Sequence, residues 1–188
     1  MNLINAIENY IPYNEQEAQD RVEMLRRLRS GEKLYFRDNA AAHITVSGWV
    51  TSPDREKVLM AYHNIYDSWS WLGGHADGER DLLRVAEKEI REESGLENFT
   101  PVSEGIFSLE ILTVDGHMKK GRYVSSHLHL NFTFLFEADT AQAVRCKPDE
   151  NSSVGWFGLD EAIEASDEPW IRDVIYRKLN EKLRKFFS

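Results

Sequence analysis

One cysteine, Cys146, in 188 residues excludes an internal disulfide, so the core has to be held by packing alone. A chain of this length can do that without a covalent or metal staple. There is no apolar run near the roughly 18–20 residues that a membrane helix needs, so no membrane partner is expected. The N-terminal Met1-Asn2-Leu3-Ile4-Asn5 has no basic region followed by an apolar stretch, so no signal peptide is expected either. With a single cysteine, the expected compartment is the cytoplasm. Basic residues are outnumbered: Lys plus Arg is 23 against 32 Asp plus Glu, a net charge of −9. Such a chain lacks the basic footprint of a nucleic-acid binder, and DNA is not an expected partner. Small phosphorylated ligands stay open, because a cation can bridge acidic protein and anionic ligand. Glycine (11) and proline (5) are too few for a low-complexity chain, and no repeat or flexible linker is visible. What remains is an ordinary composition, 41% hydrophobic and 29% charged, sized for one domain.

The hydrophobic pattern changes period along the chain. Asn14 to Ser30 has helical spacing through Val22, Met24, Leu25 and Leu28 and stops at Gly31; Leu3 to Ile11 reads as a short helix ended by Pro12. Ala42 to Val50 and Lys57 to Tyr62 read as a hairpin turning at Ser52-Pro53-Asp54. Ser68 to Leu72 alternates and is expected to end at Gly73-Gly74. Asp81 to Ser94 is a helix with Gly95 as its stop. A long β stretch is expected from Pro101, with Ile106, Ile111 and Leu112 in the core and a loop at 115–121. His127 to Phe136 alternates over ten residues; Val154 to Phe157 is a short strand, and helices follow at Leu159 to Ala165 and after Pro169. This order predicts an α+β fold, a mixed sheet covered by helices.

Within the central helix Glu89, Glu92 and Glu93 lie at i, i+3 and i+4. At about 100° per residue they share roughly a quarter of the circumference. Like charges so placed destabilise a helix, and a hard divalent cation would relieve them. Three glutamates alone are also compatible with a solvated face partnered by Lys88 and Arg91. The upstream Gly73-Gly74, which lets backbone approach a ligand closely, and the closing Gly95-Leu96 favour the cation.

The segment Gly74 to Leu96 resembles the Nudix box, G-x5-E-x7-R-E-U-x-E-E-x-G-U with U aliphatic, and Lys88-Glu89-Ile90-Arg91-Glu92-Glu93-Ser94-Gly95-Leu96 follows in register. Two positions depart from it. Arg80 stands at the first glutamate, with Glu79 one residue early, and Lys88 replaces an arginine. The resemblance implies a Nudix-type α/β/α sandwich over residues 1–188 as one domain, with 1–41 a helical N-terminal extension that packs on the domain or supports a homodimer, and 166–188 a C-terminal helix. It implies a pyrophosphohydrolase that cuts a phosphoanhydride in a nucleoside diphosphate linked to another moiety, using Mg²⁺ or Mn²⁺. Glu89 and Glu93 are then the leading metal ligands, Glu92 the third, and the Gly73 carbonyl a further donor. The general base lies on the box helix in some members and on a later loop in others. That makes Glu89, Glu92 and the loop residue Glu150 the catalytic candidates, with Asp149 behind Glu150 and Glu79 a stand-in for the missing upstream carboxylate.

Other residues admit two readings. His75 can touch a phosphate or sit in an exposed loop, and Lys119, Lys120 and Arg122 can grip a terminal phosphate or simply be solvated. Trp69 and Trp71 suit the core better than base stacking, although Trp71 stays a substrate candidate. His127 and His129 share a strand face; with a carboxylate site elsewhere, they read as cross-strand packing or substrate contact rather than metal ligands. Two other functions fit the same resemblance. A nucleotide-sensing, non-catalytic domain would tend to lose box glutamates, which this chain keeps. Isopentenyl diphosphate isomerases share the fold but carry a cysteine upstream of the box helix, whereas Cys146 lies downstream. Cys146→Ser is therefore expected to leave turnover intact; loss of turnover in a folded variant would restore the isomerase alternative.

Overall fold

The computed structural model describes residues 2–119 and 121–187. Both N-terminal helices start at asparagine caps: Asn2 for α1 (Leu3–Asn9) and Asn14 for α2 (Glu15–Arg29), each side chain accepting a first-turn N–H. Glu15 and Glu17 in the first turn of α2, with Arg26, Arg27 and Arg29 in its last, complement the helix dipole. Strand β1 (Ala42–Thr51) and β2 (Lys57–His63) form the expected hairpin. The run after them divides: β3 (Ser68–Ser70) pairs with β2, and β4 (Leu72–His75) crosses to β1. The double glycine thus lies inside β4 instead of ending a strand, because both glycines bring backbone against a neighbour that a Cβ would strike. Helix α3 (Leu82–Ser94) runs from the Asp81 cap to Gly95, whose φ of 69° is the left-handed stop that glycine tolerates.

The stretch after Pro101 is not continuously extended. Strand β5 is only Thr100–Pro101, and β6 begins at Ser108 and ends at Val114. The expected loop at 115–121 is a small hairpin, β7 (His117–Lys119) and β8 (Arg122–Val124), which among the described residues pair only with each other. Strand β9 (His127–Glu137), β10 (Asn151–Gly158), α4 (Leu159–Glu164) and a π-helical segment (Ile171–Tyr176) leading into α5 (Arg177–Phe186) complete the chain.

Eight strands form one mixed sheet in the order β10-β2-β1-β9-β5, with β3 on β2, β4 on β1 and β6 on β9. β1 and β9 run parallel over ten paired residues, from Ala42 beside Leu128 to Thr51 beside Glu137; the other pairs are antiparallel. The fold is α+β, with helices on both faces. One face packs Ile44, Val46, Leu130, Phe132 and Phe134 against α3, α1 and α2. Gly48 makes this close: a Cβ there would lie 2.6 Å from Ile90 Cδ1. The other face packs Trp49, Val58, Met60 and Leu135 against α4, the π-helical segment and α5. No described helix is long and apolar enough to cross a membrane.

Helix α2 buries Glu17, Met24 and Leu25, whereas Val22, expected in its apolar stripe, is 62% exposed. The stripe is turned by an ion network. Lys178 of α5 lies 3.2 Å from Glu17 and 2.9 Å from Glu110 of β6, and Lys182 lies 2.8 Å from Glu17. Glu17 also accepts from Tyr10, Tyr13 N–H and Ser108. Residues 2–41 are thereby fastened to the sheet edge and to the C-terminal helix.

Burial works against the charge of Glu17, but Lys178 and Lys182 outweigh it and hold its carboxyl at about 2, below the ordinary 4.5. A depressed carboxylate contributes its stability above the unfolded value and loses it as pH falls through the folded one. Denaturant midpoints are therefore expected to drop as pH goes from about 4.5 to about 2. Glu17→Gln, which takes the carboxylate from Lys182 and leaves Lys178 with Glu110, is expected to cost about 3–5 kcal/mol at neutral pH and to flatten that acid limb.

Candidate active site

Two elements build the site. Glu89 and Glu93 stand one helical turn apart on α3, and Glu150 comes from the loop before β10. One carboxylate oxygen from each lies within 4.8 Å of the others. Gly74 makes room for the first: a Cβ there would be 2.6 Å from Glu89 Cδ. The N–H of its neighbour Gly73 donates to Glu93 Oε2 at 2.9 Å. The structure thus gives Gly73 a role through its amide.

The loop that brings Glu150 is pinned at several points. Buried Asn151 donates from Nδ2 to the Glu93 carbonyl at 3.0 Å and accepts from Lys147 N–H at 2.9 Å. Asn64 N–H donates to the Glu150 carbonyl, its side chain donates to the Pro148 carbonyl, and Arg145 N–H donates to the Ser94 carbonyl. Asp149 is exposed and outside the group.

Glu93 is 6% exposed. Burial pushes its carboxyl up to about 8, and the neighbouring Glu89 and Glu150 push the same way against the pull of the Gly73 N–H. A buried carboxyl raised by two other carboxylates is short of positive charge, and a bound cation would supply it. The donor set is all oxygen, which suits Mg²⁺ or Mn²⁺.

The third box glutamate is placed elsewhere. Glu92 is exposed and pairs with Lys88 and Lys147, each at 3.2 Å, so the structure does not bring it into the group of three. The i+3 position turns it off the line that joins Glu89 and Glu93 at i and i+4. Lys147, which no sequence motif singled out, bridges Glu92 and Glu150, the latter at 3.0 Å. Burial disfavours its charge, but Glu150 and Glu92 outweigh that and raise its pKa. Arg37 also faces the carboxylates: the fields of Glu89 and Glu150 reach it, although its direct partner is Asp77. The lysine three residues before Glu150 was a readable signal; the pairing of Arg37 with Asp77, forty residues apart, was not.

Glu79 lies outside the group of three. It accepts from the N–H groups of Arg80 and Asp81 at the entry to α3, and those bonds hold its pKa down. Arg80 turns over the Tyr35 ring, 5.0 Å from its centroid. Trp71 joins the second core, its ring 5.5 Å from Tyr176, whose hydroxyl accepts from Trp71 N–H. His75 lies among other histidines, near His43 and His129. Arg122 is exposed on β8, paired across the hairpin with Lys119, and Lys120 lies outside the described residues. A groove of about 840 Å³ between the N-terminal segment and α5, lined by Tyr10, Tyr13, Phe107 and Lys185, contains none of the carboxylates.

A profile of the NUDIX domain matches residues 41–179. Solved structures share the fold at low identity. An Ap4A hydrolase binary complex from C. elegans is 16% identical, with a TM-score of 0.53 over 77% of this chain and 96% of that one. A NUDIX-family hydrolase from Clostridium perfringens is 20% identical, with a TM-score of 0.50 over 77% and 97%. The E. coli dihydroneopterin triphosphate pyrophosphohydrolase is 12% identical, with a TM-score of 0.52 over 76% and 93%. No curated protein matches in sequence. The chain belongs to the Nudix family.

In metal-free protein the Glu93 carboxyl is expected to titrate near pH 8, read by carbon NMR of labelled glutamate, and to drop on addition of Mg²⁺. A raised carboxylate makes the folded state bind the extra proton. Metal-free stability is therefore expected to decline as pH rises from about 4.5 toward 8, and Mg²⁺ to remove that decline.

Proposed function

We propose that the protein hydrolyses the pyrophosphate linkage of a nucleoside diphosphate joined to a further group, with Mg²⁺ or Mn²⁺ held by Glu89 and Glu93 and with Glu150 beside it as the general base. The observation that carries this reading is the convergence of those three carboxylates from two separate elements. Convergence on one point serves a cation; solvated helix charges have no reason to wait for a partner from a loop sixty residues away. The chemistry a divalent cation supplies there is Lewis-acid polarisation of the phosphoanhydride and a lowered pKa for bound water.

The chain's own groups do the rest. Gly73 N–H fixes the Glu93 carboxylate, and Asn151 fixes the loop that carries Glu150. Glu150, partly exposed and on the loop, takes the proton from the attacking water. Lys147 and Arg37 place positive charge beside the carboxylates, where the anionic diphosphate has to enter. Glu92 acts through Lys147 as a positioning residue. Charge complementarity of this kind binds the diphosphate common to many substrates, and the attached group is read by other side chains.

Turnover is expected to require a divalent cation and to vanish in EDTA, tested on a panel of nucleoside diphosphate derivatives with product identification. Glu93→Gln is expected to lower metal affinity and turnover together. Glu150→Gln is expected to lower turnover by about 10²–10⁴-fold with metal affinity little changed, as loss of a general base does. If added metal rescues both variants alike, Glu150 is a ligand and the base lies on α3. Full turnover of wild type in metal-free buffer would sink the reading.

A further inference from the structure

Five of the six histidines in the chain gather at one end of the sheet, and none of them belongs to the group formed by Glu89, Glu93 and Glu150. The ladder places His43 of β1 beside His129 of β9, and β4 sets His75 opposite Thr45, two residues along and on the same face as His43. Ring centroids lie 5.1 Å apart for His43 and His75, 4.9 Å for His43 and His129, and 5.0 Å for His75 and His129. His127 is 4.9 Å from His43 and 5.0 Å from His129, and His117, from the β7–β8 hairpin, is 6.5 Å from His127. One ring nitrogen from each of His43, His75 and His129 lies within 4.8 Å of the others.

Stacked imidazoles alone would account for the proximity, but not for the orientation. Nδ1 of His43 faces the Asn39 carbonyl at 3.1 Å, Nδ1 of His127 the Ser125 carbonyl at 2.8 Å, and Nδ1 of His117 the Asp115 carbonyl at 2.9 Å. A carbonyl only accepts, so each Nδ1 carries the hydrogen and each Nε2 is left with a lone pair. A ligating histidine is held in this way, by a backbone carbonyl on its far nitrogen. His43 is 5% exposed, and its Nε2 is buried with no hydrogen-bond partner. Burial also lowers its pKa, which favours the neutral ring that a metal requires.

We propose that His43, His75 and His129 form a second metal site, built for a transition-metal ion of the Zn²⁺ class, with His127 at the fourth position. Imidazole nitrogens select such ions over the hard cations of an all-oxygen site. A tetrahedral ion with bonds of about 2.0–2.1 Å separates neighbouring nitrogens by roughly 3.3 Å. The Nε2 atoms of His127 and His129 share a hydrogen bond at 3.2 Å, close to that spacing, and a metal ion would take the place of the proton between them; the nitrogens of His43, His75 and His129 lie within 4.8 Å of one another. The neighbouring Asp77 carboxylate, its pKa held down first by Arg37 and also by His75 and His43, supplies negative charge beside the site. The site does not depend on what the carboxylate cluster hydrolyses.

The test uses the full chain, stripped with a chelator and titrated with Zn²⁺ in millimolar Mg²⁺, with bound metal counted by mass spectrometry. Wild type and Glu93→Gln are expected to retain one Zn²⁺ per chain. His75→Asn and His129→Asn are expected to weaken it by about 100-fold or more, since disturbing even a supporting residue costs 10–100-fold. Cobalt provides a readout that needs no variant: Co²⁺-loaded wild type should show the intense visible bands of tetrahedral nitrogen coordination. Zn²⁺ affinity unchanged in folded histidine variants, Zn²⁺ lost only in Glu93→Gln, or the weak spectrum of octahedral oxygen coordination would each overturn the proposal.

Discussion

The parallel pairing of β1 with β9 is the constraint on which the rest depends. Ten residues of each strand lie side by side, and strand periodicity sends alternate side chains to opposite faces. The even positions of β1 and β9 meet α3 and fix the height at which its glutamates stand above β4. The odd positions change character along the ladder. At one end Trp49 and Leu135 pack under the C-terminal helices. In the middle Thr45 and Ser47 donate to Asn131 Oδ1, and Asn131 donates onward to Glu110. At the other end stand His43, His127 and His129. A slip of one residue would exchange the two faces and abolish both the apolar contact with α3 and the polar line.

Charge is handled differently in the two buried carboxylate clusters. Around Glu17 and Glu110 the compensating ammonium groups, Lys178 and Lys182, are part of the chain and are themselves largely buried, so the network is closed and structural. Around Glu93 the ammonium groups stand at the rim, Lys88 between Glu89 and Glu92 and Lys147 between Glu92 and Glu150, and neither pairs directly with the innermost carboxyl, whose pKa stays raised. A fold tolerates such an imbalance where a ligand supplies the missing charge. The contrast separates a site from a scaffold within one molecule, although both contain buried acids.

Much of this was legible in residue spacing. Periodicity marked α2, α3, β9 and the β1–β2 hairpin, because each is a local pattern that its own cap or turn terminates. The Nudix box could be read because its glutamates and glycines keep a fixed distance within one helix and the strand before it. Harder to read were residues whose meaning depends on a partner far along the chain. Val22 fits the helical stripe of α2 but is exposed, because Glu17 and its lysines turn the helix. Glu92 fits the box, yet the angle of one helix position hands it to Lys88 and Lys147.

By itself the sequence determined the element order, the family and which residue types carry the chemistry, since these rest on short-range pattern. Tertiary structure alone decided which carboxylates meet. Glu150 joins Glu89 and Glu93 only because Asn151 and Asn64 tie its loop to α3 and to the end of β2. It also decided that histidines at 43, 75 and 129 become neighbours, although no local signal relates them. Their contact is a product of strand register, which is set by closing long stretches of chain against one another.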